Sequence, residues 1–118
     1  MHSEISSKPV VKFSESVGFY FDELIAALFL QDYFGFMDSA LQYVSDMKNY
    51  IETNIANLPN YPAPPYFSKY QTGMKYVTYR PNNRTTWYIF FLQETDRYLV
   101  CYITNNHFEG KYIRRLFH

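Results

Sequence analysis

Only one cysteine, Cys101, occurs in the 118 residues, which excludes an internal disulfide framework and a cysteine-based zinc site. Long apolar runs are missing as well. The longest, Leu24 to Leu30, falls far short of the eighteen or so residues of a membrane span and predicts a core helix. The first residues, MHSEISSKPVVKF, have no apolar stretch and no cleavage signature of a secretory leader, so a cytoplasmic protein without a membrane role is expected. Without a leader, the glycosylation triplet Asn83-Arg84-Thr85 carries little weight. His2, His107 and His118 are too scattered for a metal site, and no carboxylate accompanies them at ligand spacing, so neither metal nor cofactor is expected.

What the chain has in excess is aromatic area: 13 Tyr, 11 Phe and one Trp, 21% of all residues. Tyrosine offers a flat apolar ring with a polar tip, which suits a core, an interface or a base-stacking surface equally well. With 47% hydrophobic residues the chain is a folded one, and its length predicts a single domain over 1–118. The net charge of zero conceals a division. Residues 1–67 carry three basic side chains against eight acidic ones, and residues 68–118 carry eight basic against three acidic. That segregation points to an anionic partner for the second half, or to acidic helices lying beside a basic sheet.

Pro9 to Phe13 reads as a first strand. Ser14 or Ser16 then caps a helix, with Glu15 in its first turn complementing the helix dipole. Val17, Tyr20, Phe21, Leu24, Ile25 and Leu28 form its apolar stripe, and Phe19, Ala26, Phe29 and Leu30 spread apolar area beyond it. Gly35 breaks the helix, and a second runs from about Phe36 to Ile55 to complete a helical hairpin. Pro59, Pro62, Pro64 and Pro65 mark an extended connector, neither helix nor central strand. From Met74 the period changes to two. Met74–Arg80, Thr85–Leu92 and Arg97–Thr104 read as three strands, and Tyr112-Ile113 as a short edge segment. The last two long strands are apolar on both faces and should be central. The order β-α-α-β-β-β predicts an α+β fold: a helical hairpin packed on one face of a mostly antiparallel, twisted sheet.

VVKFSESVGFYFDEL opening the first helix, the loop leading into KYVTYR, the strand pair WYIFFLQETDRYLVCYI and the polar end at Asn106-His107 together resemble the RelE/ParE superfamily of bacterial toxins. The resemblance runs from about Val10 to Tyr112. It implies a toxin of a type II toxin–antitoxin pair, neutralised by a cognate antitoxin segment that folds on binding, with either mRNA on the ribosome or DNA gyrase as target. In RNA-cleaving members of the family, the sheet face away from the helices is concave and lined by basic and tyrosine side chains. By this resemblance Arg80 is the basic residue closing the strand after the connector, and Asn106 or His107 is the polar position after the last core strand. Tyr88 stands where an arginine is expected, and Phe91 where a tyrosine is.

Metal-independent RNA cleavage requires a group that moves a proton, cations that offset charge on the phosphoryl oxygens, and surfaces that hold the bases. Histidine is the residue type suited to proton transfer near neutrality, which singles out His107. Arg80, with Arg84 or Lys75 as a second cation, would stabilise charge. Tyr88, Tyr102 and Asn106 would contact RNA. Each has a plainer alternative, as a solvated loop histidine, a strand-ending arginine, or core and groove tyrosines. A binding protein that blocks gyrase without chemistry, or a catalytically inactive interaction module, would use the same fold. In the module, Phe19 and Phe29 would form a partner or homodimer surface and Arg114-Arg115 would clamp an acidic partner.

Overall fold

The computed structural model of the chain describes residues 8–30 and 37–114. Strand β1 (Val10–Phe13) ends at Ser14, whose hydroxyl accepts the Val17 N–H at 3.2 Å and so caps helix α1 (Glu15–Leu30). Helix α2 spans Met37–Asn54 and passes into a single 3-10 turn at Ile55–Asn57. The expected helix break at Gly35 and the expected start at Phe36 lie outside the described residues. No described helix is long and apolar enough to cross a membrane.

The connector adds a two-residue strand, β2 (Tyr61–Pro62), and a 3-10 helix at Pro65–Lys69. The expectation of a purely extended connector therefore needs correcting. Proline is excluded from helix interiors, but its fixed φ and missing N–H suit a first helical turn, where Pro65 stands. Strands β3 (Lys75–Tyr79), β4 (Trp87–Glu94) and β5 (Arg97–Asn105) follow. The fold is α+β around one five-stranded mixed sheet, ordered β1-β5-β4-β3-β2. β1 runs parallel to β5, and all other pairs are antiparallel.

One face of the sheet packs on the helices. Val17 and Phe21 of α1 and Val44, Met47 and Ile51 of α2 meet Val77, Trp87, Ile89, Phe91, Val100 and Ile103. The spacing of these helical residues follows the 3.6-residue period, which is why both helices turn this face to the sheet.

The opposite face, expected to be open and concave by family resemblance, is also covered. The connector lays Phe67, fully buried, onto Phe90, with ring centroids 4.4 Å apart. Met74, Tyr76 and Ile113 complete this second core, with Tyr66, Tyr88, Tyr102 and Tyr112 packed around it. Tyr112 and Ile113 belong to a one-turn helix, α3 (Gly110–Arg114), rather than to an edge strand. Folding back over the sheet buries Ile113 among Phe67, Met74, Tyr76 and Phe90. Burying a side chain of this size is worth roughly 1.5–3 kcal/mol.

A β-bulge decides which side chains reach this second core. Phe90 pairs with Tyr102 and Phe91 with Val100, so Cys101 has no partner on β4. Before the bulge Tyr98 and Val100 face the helices; after it Ile103 does. The extra residue shifts the alternation by one and turns Tyr102 and Thr104 to the second face.

Candidate functional site

β5 ends in a turn built by two asparagines. The Asn105 side-chain oxygen accepts the His107 N–H at 2.8 Å, and its carbonyl accepts the N–H groups of Phe108 and Glu109. Asn106 replaces a strand partner. Its amide oxygen accepts the Thr86 N–H at 2.8 Å, and its amide nitrogen donates to the Arg84 carbonyl at 3.0 Å. The 81–86 turn is thereby tied to the end of β5. Asn106, expected to contact RNA, spends both ends of its amide on backbone.

This tie brings Thr85 to His107, with Thr85 Oγ1 and His107 Nε2 at 3.2 Å on the exposed rim. Arg80 and Arg84 sit on the same turn, which is held in shape by Asn82 accepting the N–H groups of Arg84 and Thr85. Arg80 donates to the Asn83 carbonyl at 3.3 Å. The sheet register explains the grouping. Tyr79 pairs with Trp87 and Trp87 with Asn105, so the chain leaving β3 and the chain leaving β5 emerge at one end. Lys75 starts β3 at the opposite end and is not brought to this group.

The remaining expected residues are dispersed. Tyr88 packs edge-on against Tyr76 and beneath Gly110, where an added Cβ would lie 3.5 Å from its ring. Tyr102 stacks on Tyr70 at 3.9 Å between ring centroids. Phe19 is exposed on the outer face of α1, at 62% of its surface, whereas Phe29 is half-buried. Arg114 closes α3, and Arg115 lies outside the described residues. Among the described residues no three His, Cys, Asp or Glu side chains gather as a metal site requires.

A cluster not foreseen from sequence centres on Glu109. Tyr66 and Tyr70 donate to its Oε2 at 2.9 and 2.7 Å, and Tyr102 donates to Oε1 at 2.5 Å. Burial pushes the Glu109 pKa up, but these hydroxyls outweigh it and hold the carboxyl below the usual range. The Tyr102 phenol is pushed far up, first by burial and then by Glu109. Three phenol hydroxyls occupy most of its roughly four lone-pair positions, so the carboxylate fastens the connector to the sheet. Lys69 lies 3.8 Å from the centre of the Tyr66 ring and covers the outside. The sole sequence signal for this cluster is that Glu109 is the one acidic side chain after Asp96, in a basic, tyrosine-rich stretch. Thr85 was read as part of β4, yet it precedes the strand, which frees its hydroxyl for His107.

Two cavities flank the rim. One, of about 520 Å³, is an open groove beside Tyr66, Tyr112 and Lys111. The other, of about 610 Å³, lies between α1, α2 and the sheet end, and His107 borders both. The chain matches no protein-family profile, and neither a curated protein nor a solved structure matches it significantly.

Proposed function

We propose that this chain is a toxin-like protein of the RelE/ParE type, cytoplasmic and held in check by a small antitoxin, that arrests bacterial growth by cutting mRNA at the His107 end of the sheet. The observation that carries this reading is the exposed Thr85–His107 contact on the turn that also bears Arg80 and Arg84. His107 takes the proton of a 2′-hydroxyl, and the 2′-oxygen attacks the adjacent phosphorus. The bond from phosphorus to the 5′-oxygen breaks, leaving a 2′,3′-cyclic phosphate and a 5′-hydroxyl that takes its proton from water. Arg80 and Arg84 offset the charge on the phosphoryl oxygens. Thr85 is a positioning residue that orients the imidazole. The exposed Phe19 on α1 supports an apolar antitoxin contact or a homodimer there.

One observation favours a second reading, gyrase inhibition without chemistry. The sheet face that cleaving members of the family keep polar is filled here by Phe67 and its tyrosine neighbours. Induced expression in bacteria separates the two, with message decay and plasmid supercoiling followed in the same culture. We expect arrest with message loss, relieved by about a hundredfold or more in His107→Ala, the usual weight of a proton-transfer group. Full arrest by both His107→Ala and Arg84→Ala sinks the cleavage site. Loss of supercoiling with intact messages points to gyrase, and no arrest leaves a catalytically inactive interaction module.

A further inference from the structure

The turn that carries His107 holds a second ring out in water. Phe108 follows the histidine directly, is 69% exposed, and pairs with no other ring among the described residues. Its backbone is fixed from three sides. The Phe108 N–H donates to the Asn105 carbonyl at 3.2 Å, and the Asn106 amide ties the turn to Thr86 and Arg84. Gly110 approaches Asn106 so closely that an added Cβ would lie 3.2 Å from the Asn106 Cβ. A large apolar ring exposed on a rigid turn adds nothing to either core, and its backbone is already ordered when a ligand covers it.

Basic residues flank the ring on both sides. On one lies the turn of Arg80 and Arg84, joined to this one by the Asn106 bond to the Arg84 carbonyl at 3.0 Å. On the other, Phe108 and Lys111 line the same open groove of about 520 Å³. Glu109 lines that groove too, but its oxygens accept from Tyr66, Tyr70 and Tyr102. A free ring between cations is how single-stranded RNA is held, with bases on flat rings and phosphates on Lys and Arg.

We infer that Phe108 is the base-stacking platform of the His107 site: one unpaired base of a single-stranded RNA lies on its ring, with the flanking phosphates at Arg84 and Lys111. The stack fixes which linkage comes to His107. It separates single strands from duplex, whose bases are stacked inside, and not one base from another, because every base has a flat face. The inference rests on the cleavage reading for its purpose, but its test reads binding and stacking without any cutting.

The probe is a short 2′-O-methyl oligoadenylate carrying fluorescein, which lacks the hydroxyl that cleavage needs. Its anisotropy with the full-length protein should saturate, with half-saturation at or below about 0.1 mM at low salt. Phe108→Ala should weaken binding by about tenfold or more, the usual weight of one stacked base, while the circular dichroism spectrum stays unchanged. Phe108→Trp should bind within about twofold of wild type. The only native tryptophan, Trp87, is buried at 3% exposure, so the new indole is the exposed one. An unlabelled single strand should quench its emission, and the same strand annealed to oligouridylate should not.

No binding by the wild type overturns the inference, and so does an absence of quenching in Phe108→Trp. Binding by Phe108→Ala within about twofold of wild type also overturns it; if that variant relieves growth arrest as well, the ring meets a protein instead. If Phe108→Ala disturbs the fold, the quenching in Phe108→Trp decides alone. Stacking without any cutting of an all-ribose strand keeps the platform and removes the cleavage reading. Cutting of that strand with undiminished binding by Phe108→Ala does the reverse.

Discussion

The two faces of one sheet are built by different means. The helix-facing side is largely aliphatic, with Val44, Met47, Ile51, Ile89 and Val100 locked between regular elements by their periodic spacing. The other side is aromatic and is closed by an irregular connector. Phe67 inserts into it, Tyr66 stacks on Tyr112 at 3.7 Å and Tyr70 on Tyr102, and one carboxylate joins three of these phenols. Repeated apolar spacing suffices to cover a sheet with helices. Covering it with a segment rich in proline takes ring stacking and a shared polar anchor, because such a segment has few backbone hydrogen bonds of its own.

The sharpest way to break this comparison is to excavate each face in turn. Phe91→Ala on the helix side and Phe67→Ala on the connector side should each cost about 3–5 kcal/mol in urea unfolding, since both residues are fully buried. A loss below about 1 kcal/mol for Phe67→Ala alone would mean that the connector is a loose cover and the second face no true core.

Glu109→Gln tests the anchor itself. Losing a charged acceptor of three phenols should cost about 1–3 kcal/mol, and the effect should depend on pH. The Glu109 pKa is depressed in the folded protein, so its contribution is complete above the unfolded value of about 4.3 and fades as pH falls through the folded value. The stability gap between wild type and Glu109→Gln should therefore narrow in acid. A gap that stays constant between neutral pH and strongly acidic solution would rule out the ionised carboxylate as the anchor.

The smallest effect belongs to the helix side. Ser14→Ala removes the α1 cap and should cost about 1 kcal/mol. Amide exchange should rise in the first turn of α1 and leave the connector unaffected. If Tyr66 and Tyr70 amides also loosen, the two faces are more strongly coupled than their separate packing implies.

Much of the fold was legible because periodicity is a local property. The stripe from Val17 to Leu28, the capping serine and the three alternating strands could each be read within a dozen residues or so. The double-sided apolarity of β4 and β5 signalled a central place in the sheet, which is where both strands lie. What covers the second face was not legible, because Tyr66 and Tyr70 find Glu109 from 43 and 39 residues away. Of the candidate site, His107, Arg80 and Arg84 were named from sequence and do share one sheet end, whereas Thr85 entered only through the Asn106 tie. Tyr102 was named for RNA contact, yet its hydroxyl is committed to Glu109.

By itself the sequence determined the order of the two long helices and the four main strands, the apolar stripe of the first helix and the division of charge along the chain. Tertiary structure alone decided that Tyr102 and Thr104 face Glu109. A single unpaired residue, Cys101, turns every later side chain of β5 to the opposite face, and no pattern within the strand distinguishes one side from the other when both are apolar.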